Sequence, residues 1–306
     1  MISKINIGLI TFIFVMLILI SYFPNTQPFS PFNNGWNGIS SLYKNSSGLI
    51  TSSSMLNFNG VLVIVNPEKM PTNKDIQNLN NFLKNGNEII IFGDGNLVNG
   101  LIKLLGGNII TNNEIVYDDI FNYKSNIFPL ALTNNKEKLV LFYTSYLNNG
   151  TPIANTSFFS YIKNGSNLIY GPFTVSSEEY INKGKIIVIS DPYFILNYVF
   201  NLGNNQKFFF NLTNGEKYYI ATFLQNETPY LFLKIQINNL SKFISQLYMQ
   251  IILLSAFFIA SIFVYSLKEE AKVNNSYNIN KIMKEHPDWD KNLINEILEE
   301  KNNESK

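Results

Sequence analysis

The sequence predicts an α/β fold: a three-layer, mostly parallel sheet with helices on both faces, flanked by a transmembrane helix near each end. Three observations lead there. Short apolar runs of β type alternate with helical runs through the middle of the chain. Two long uncharged apolar stretches stand near the ends. Charge is scarce between those stretches, about 28 residues in roughly 219, and dense after the second, about 16 in 39. That split reads as two different environments.

The apolar stretches set the expected domain boundaries. Residues 1–4 precede a first span at 5–23, an uncharged run of about 19 residues that is close to the ~20 needed to cross ~30 Å of hydrocarbon. A cleaved signal peptide begins in the same way. This run is longer than the usual ~7–15 residues and no A-x-A-like site follows, so an uncleaved anchor is expected. The second span, 243–267, contains the uncharged Ile251–Leu267 and stops at Lys268-Glu269-Glu270. It lacks the polar stripe of a core helix. Lys4, Lys268, Lys272, Lys281 and Lys284 flank the spans on one side, with Lys234 and Lys242 weighing against them. The expected topology is a two-pass plasma-membrane protein, with both termini cytoplasmic, residues 24–242 outside and a charged helical tail at 268–306.

Within 24–242 the elements follow in order. Gly38 to Lys44 reads as a short helix, and Gly60 to Val65 (GVLVIV) as a strand buried on both faces. Thr72 is a plausible N-cap for a helix carrying Ile76, Leu79, Phe82 and Leu83, which Asn85-Gly86 ends. Glu88 to Phe92 is a second buried strand, followed by Gly93-Asp94-Gly95, a helix to Leu105 and a short strand at Asn108–Thr111. From Thr111 to Asn182 the periodicity fades; Leu139–Thr144 and Asn167–Tyr170 read as strands of undetermined order. Gly184 to Ile189 restores the pattern, then helical stretches reach Phe200 and Leu212. Tyr218–Leu224 and Tyr230–Ile237 are expected as closing strands.

Composition excludes several chemistries. The chain has no Cys, so disulfides, thiolate nucleophiles and thiolate metal sites are absent. Every basic side chain is Lys, which removes the arginine fork that grips phosphate and guanine, and a net charge of +1 gives no nucleic-acid surface. The single histidine, His286, lies in the tail, so a Ser/His/Asp triad within the domain fails. No cofactor or metal is expected.

In open α/β sheets ligands sit beyond the carboxyl ends of the strands. Asp94 and Asp191 both follow apolar strands and would share that rim, either as an acid/base or cation-binding pair or as caps of the helices that follow. Gly93-x-Gly95 is too short for a dinucleotide fingerprint, and no phosphate-binding Gly-x-x-x-x-Gly-Lys-Ser/Thr occurs.

At these residues a family likeness emerges. The strand before Asn66-Pro67, the helix into Leu83-Lys84-Asn85-Gly86 and the strand into Phe92-Gly93-Asp94 resemble class I glutamine-amidotransferase-like domains. Gly184 to Pro192 (GKIIVISDP), with Asn197 and Asn204-Asn205 after it, is similar to the membrane-anchored family called domain of unknown function 4350. The resemblance covers roughly Gly35 to Leu212. It implies a flavodoxin- or amidotransferase-like sheet, adds Asn197 to the candidate rim of Asp94 and Asp191, and suggests MoxR-type ATPases or von Willebrand-like proteins as partners. Active amidotransferases use Cys, His and Glu; without Cys, and without His in the domain, the resemblance implies a scaffold or binding role.

In the tail, Trp289, Leu293, Ile297 and Leu298 fall on one helical face after Pro287, a candidate docking surface. The expected function is a non-enzymatic, membrane-tethered binding, sensing or assembly subunit. The alternatives are a cell-surface hydrolase using Asp94 and Asp191, and an accessory subunit of a transport system.

Overall fold

The computed structural model describes residues 25–226, 228–244, 250–251, 254–255, 257–259, 261–262 and 283–304. The chain divides into two compact units, Met1–Ile235 and Gln236–Lys306.

The strands of the first unit are β1 (Gly48–Ile50), β2 (Val61–Val65), β3 (Glu88–Phe92), β4 (Ile110–Thr111), β5 (Tyr117–Asp118), β6 (Leu130–Thr133) and β7 (Lys138–Val140). They continue as β8 (Leu147–Asn148), β9 (Thr151–Thr156), β10 (Ser160–Asn164), β11 (Asn167–Tyr170), β12 (Thr174–Ile181), β13 (Gly184–Ile189) and β14 (Tyr218–Ala221). The helices are α1 (Ser40–Lys44), α2 (Asn73–Lys84), α3 (Gly95–Leu104), α4 (Asn197–Phe200), α5 (Asn205–Leu212), α6 (Pro229–Ile244) and, in the second unit, α7 (Lys291–Glu304).

The central sheet has nine strands in the order β1-β14-β2-β3-β13-β12-β9-β6-β7. From β1 to β13 the pairing is parallel, and from β13 to β7 it is antiparallel. Smaller sheets, β11-β10-β5 and β4-β8, are antiparallel throughout. The expected mostly parallel sheet is therefore corrected: of eleven ladders among the described residues, seven are antiparallel. The reason lies between Thr111 and Asn182, where short polar strands double back through tight turns and carry no long apolar run. Asn164 pairs with Asn167 across a two-residue loop in which Gly165 has φ 60°, and Ile181 pairs with Gly184 across Asn182 at φ 58°.

In the parallel half, β2 (VLVIV) is buried along its whole length and β3 (EIIIF) from its second residue on. Val61, Val63, Ile90, Phe92, Ile187 and Ile189 pack on one face beneath Ile39 and Leu42 of the α1 region and Phe200, Phe208 and Phe209 of α4 and α5. Leu62, Ile64, Ile89, Ile91, Ile186 and Val188 pack on the other, beneath Leu79, Phe82 and Leu83 of α2 and Val98, Leu101 and Ile102 of α3. The helix α2 starts in a capping box: the Asp75 N–H donates to Thr72 Oγ1 at 3.3 Å, and the Thr72 N–H donates to Asp75 Oδ2 at 2.9 Å. At its far end, Gly184 opens β13 against bare backbone. A Cβ there would lie 2.4 Å from the Asn87 carbonyl oxygen and 2.6 Å from that of Leu83.

Two further expectations are corrected. Tyr230–Ile237 is not a closing strand but part of α6, where Leu231 and Ile235 are buried four residues apart, at helical spacing. The two flanking transmembrane helices, and with them the two-pass plasma-membrane topology, are not upheld: among the described residues no helix is long and apolar enough to cross a membrane. The 16 residues of α6 span only about 24 Å, and Lys234 and Lys242 interrupt them. The expected span at 5–23 lies outside the described residues, as does most of that at 243–267.

Replacing Thr72 with Ala should lower the unfolding free energy by about 1 kcal/mol in urea titration. Gly184→Ala should lower it by about 1–3 kcal/mol, because the methyl meets backbone that cannot turn aside. Equal stability of Gly184→Ala and the parent chain would show that β13 can shift away from α2.

Candidate functional site

The parallel ladder sets Ile189 of β13 opposite Phe92 of β3. Two residues beyond each, the chain turns at Asp191 and Asp94, so both carboxylates stand over the carboxyl ends of adjacent strands. The backbone at this rim is drawn tight. Gly93 has φ 154°, and Asn66, at the end of β2, has φ 37° while its N–H donates to the Phe92 carbonyl at 2.7 Å. Tyr143 sits at φ 51°, an uncommon conformation for a bulky residue and one concentrated at functional sites.

The two carboxylates have different surroundings. Asp191 is fully buried, and its oxygens accept the Phe142 N–H at 2.7 Å and the Tyr193 N–H at 2.8 Å. Burial pushes its pKa up to about 8; backbone donors from Phe142, Tyr193 and Phe194 pull the other way, and the nearby Asp94 charge raises it further. Burial outweighs the donors. Asp94 is only partly buried. Burial raises its pKa too, against the Ser145 hydroxyl beside it. It occupies the N-cap position of α3 but makes no capping hydrogen bond; the Gly95 N–H is taken by Thr111 Oγ1 at 2.9 Å. Asp94 therefore does not act as the helix cap that its position after a strand suggests, whereas Asp191 caps the turn that follows β13.

An aromatic cluster built on Tyr193 lies beside the pair. Tyr193 lies 5.9 Å from Phe29, 5.4 Å from Phe142 and 6.4 Å from Tyr143, ring centre to ring centre, and Phe142 stacks on Phe128 at 4.4 Å. Burial raises the Tyr193 pKa, and the charges of Asp94 and Asp191 add to it. None of the three salt bridges formed among the described residues involves either aspartate. No group of three or more metal-ligating side chains occurs among the described residues. The sequence pointed to Asp94 and Asp191 but not to this aromatic cluster, which comes from distant segments with no shared motif.

Asn197 does not reach the rim pair as a free group. Its amide donates to the carbonyls of Asn33 at 3.0 Å and Gly35 at 2.7 Å, while its oxygen accepts the Ser41 N–H at 2.8 Å. It ties the segment before α1 to the start of α4. In the second unit, Trp289 precedes α7 and stacks on His286 at 4.2 Å, and Leu293 and Ile297 lie one turn apart on the helix, both more than half exposed.

A family described as a domain of unknown function, DUF4350, matches residues 31–213. The chain belongs to the DUF4350 family. The DUF4350 region holds Asp94, Asp191 and Asn197 together with the strands β1 to β13; Trp289, Leu293 and Ile297 lie outside it. No curated protein matches the chain. Among solved structures, the mmIFT52 N-terminal domain is similar at 16% identity and TM-score 0.43, covering 54% of this chain and 81% of that one. Gan42B, a GH42 β-galactosidase from G. stearothermophilus, is similar at 10% identity and TM-score 0.32, covering 62% of this chain and 27% of that one. A β-galactosidase from Bacillus circulans sp. alkalophilus is similar at 8% identity and TM-score 0.30, covering 51% and 23%.

Both rim carboxyls hold their protons more tightly in the folded state than in the unfolded one. Their stabilising contribution is thus fully present below about pH 4; that of Asp191 is lost as pH rises through about 8, and that of Asp94 is lost above its ordinary carboxylate range. Unfolding free energy measured in urea should fall across that window. Asp191→Asn should flatten most of the slope and Asp94→Asn a smaller part. Stability that rises over the same range would mean that Asp191 is held as a carboxylate.

Proposed function

We propose that the DUF4350 domain of this chain is a non-catalytic binding module whose ligand sits on the rim over β3 and β13. One observation carries the reading. Both oxygens of Asp191 are occupied by backbone N–H groups, while Asp94 is tied to no helix cap and lies close enough to Tyr193 for its charge to raise that phenol's pKa. A hydrolase built on two carboxylates needs both to reach substrate or water. Here one carboxyl holds a turn together, and a single one remains for recognition. The amidotransferase-like resemblance agrees with this reading, since the chain has no Cys and His286 lies outside the family region. Asp94 is the acceptor for a ligand that brings a positive charge or a hydrogen-bond donor, and the Tyr143 and Tyr193 rings supply its apolar contact.

The test is a thermal-shift screen of the full chain against a metabolite library rich in amines and polyols. Ligands that raise Tm should bind at least about tenfold more weakly to Asp94→Asn and Tyr143→Ala. Hits indifferent to both substitutions, or turnover of an ester, glycoside or amide that Asp94→Asn abolishes, would defeat the proposal.

A second surface favours an assembly role. Trp289, Leu293 and Ile297 are each at least half exposed in the second unit, where water gains nothing from their company. We assign them to partner docking, with MoxR-type ATPases or von Willebrand-like proteins as the candidates by family analogy. Cross-linking followed by purification through a tail epitope should recover one such partner stoichiometrically, and Trp289→Ala with Leu293→Ala should lose it. Recovery unchanged by the double substitution would remove the tail from the interface.

A further inference from the structure

A cavity of about 340 Å³ opens at the other end of the sheet, where α5 lies over the β6–β7 turn and strands β9, β12 and β13. It lies at the small end of the ~300–1,000 Å³ typical of ligand pockets, so its occupant is compact. Most such pockets are lined chiefly by apolar groups; this one mixes four Asn and two Thr with charged and apolar side chains.

Each charged side chain in its lining already has a partner of opposite sign, with three glutamates sharing two lysines. Lys185 Nζ sits 3.3 Å from Glu88 Oε1 and 3.3 Å from Glu178 Oε2, with its own side chain only 14% exposed. Glu137 Oε1 meets Lys207 Nζ at 2.9 Å and lies 3.4 Å from the Asn211 amide. An incoming anion would have to compete with two carboxylates for Lys185, and an incoming cation would have to displace lysines from Glu137 and Glu178. Both carboxylates that line the cavity, Glu137 and Glu178, already hold a lysine.

The rest of the polar lining is neutral. The side chains of Asn135 and Asn214 line the cavity and make no hydrogen bond within the described residues. Asn211 makes only the long contacts to Glu137, at 3.4 and 3.5 Å, and Thr151 is exposed at the mouth. Each amide both donates and accepts, the pattern that complements a hydroxyl, which also does both. Leu212 and Ile153 give the same cavity an apolar wall for a carbon framework.

We propose that this cavity is a second binding site, distinct from the rim, for a neutral hydroxyl-rich molecule the size of a mono- or disaccharide. The occupant lies between α5 and β9, its hydroxyls exchanging hydrogen bonds with Asn135, Asn211 and Asn214.

The full chain should be tested by saturation-transfer NMR and calorimetry with glucose, galactose, N-acetylglucosamine and maltose, using phosphate, citrate and spermidine as charged comparators. At least one neutral sugar should bind. Thr151→Trp, which fills the mouth from an exposed strand position, should abolish that binding. Asn135→Leu and Asn211→Leu should each weaken it about tenfold. Circular dichroism and Tm of each variant separate loss of binding from loss of fold, and Asn135, on an exposed turn, tolerates substitution best. Asp94→Asn should leave sugar binding unchanged, so the outcome here is independent of the rim proposal. Binding of the charged comparators alone, sugar binding untouched by Thr151→Trp, or no sugar binding by the folded parent chain would each overturn the assignment.

Discussion

The parallel register of β3 and β13 governs the rest of the first unit. Lys185 stands opposite Glu88 at one end of that ladder and Ile189 opposite Phe92 at the other. Between them Ile89, Ile90 and Ile91 face Ile186, Ile187 and Val188, which face alternately up and down into the two helical layers. A slip of one residue would send every one of these side chains to the wrong face. It would also separate Glu88 from Lys185 and shift Asp191 away from Asp94. The apolar middle of the ladder therefore fixes the chemistry at both ends, roughly 16 Å apart.

The two ends hold charge in opposite ways. At the starting edge Lys185 is desolvated, yet its two glutamate partners raise its pKa above the ordinary lysine value. At the finishing edge two carboxyls share a desolvated rim with no cation between them, and both pKa values move up. Glu88 keeps one oxygen buried without a hydrogen-bond partner even beside its lysine. One edge thus holds its charges by pairing, two glutamates on one lysine, while the other favours protonation. The first condition persists across ordinary pH; the second disappears as pH rises, which makes the rim the pH-responsive end of the sheet.

The parallel half was legible in the sequence because its strands are continuous apolar runs, and nothing else in a chain this polar looks like them. Gly60–Val65, Glu88–Phe92 and Gly184–Ile189 were readable almost to the residue, and so was the cap at Thr72. The rim carboxylates followed from those strands. What the antiparallel half lacked was a run. Its strands are two to eight residues long, rich in Ser, Thr and Asn, and β11 is exposed at every position. The readable signals there were turns: Gly165-Ser166 and Asn182-Lys183 each join two strands in two residues. The helix α6 reads as a strand because Tyr230 and Phe232 favour strands by type, while the buried pair Leu231 and Ile235 has helical spacing. Asn197 drew attention as a rim residue, but hydrogen bonds to residues more than 150 positions away in the chain claim it, and no local pattern announces those.

The strand β12 connects the two halves, and it explains why one sheet can carry two different sites. It pairs with β13 on one side and β9 on the other, both antiparallel. Near its start, the Val175 carbonyl accepts the Ser190 N–H at 3.0 Å and so fixes the chain one residue before Asp191. Near its middle, Glu178 holds Lys185 at the edge of the cavity. Between these points the pairing with β9 shifts register twice, at Thr174/Ser176 and Ser176/Ser177. Such irregularities turn side chains that strict alternation would leave on fixed faces. Ser176 Oγ, buried there without a hydrogen bond, shows that the local hydrogen bonding is incomplete. The parallel strands set the two rim carboxyls side by side, and Phe142 and Ser145 bond to them from the segment after β7. Only the antiparallel extension, entered through the irregular β12, adds the strands over which α5 can close a second, chemically neutral cavity.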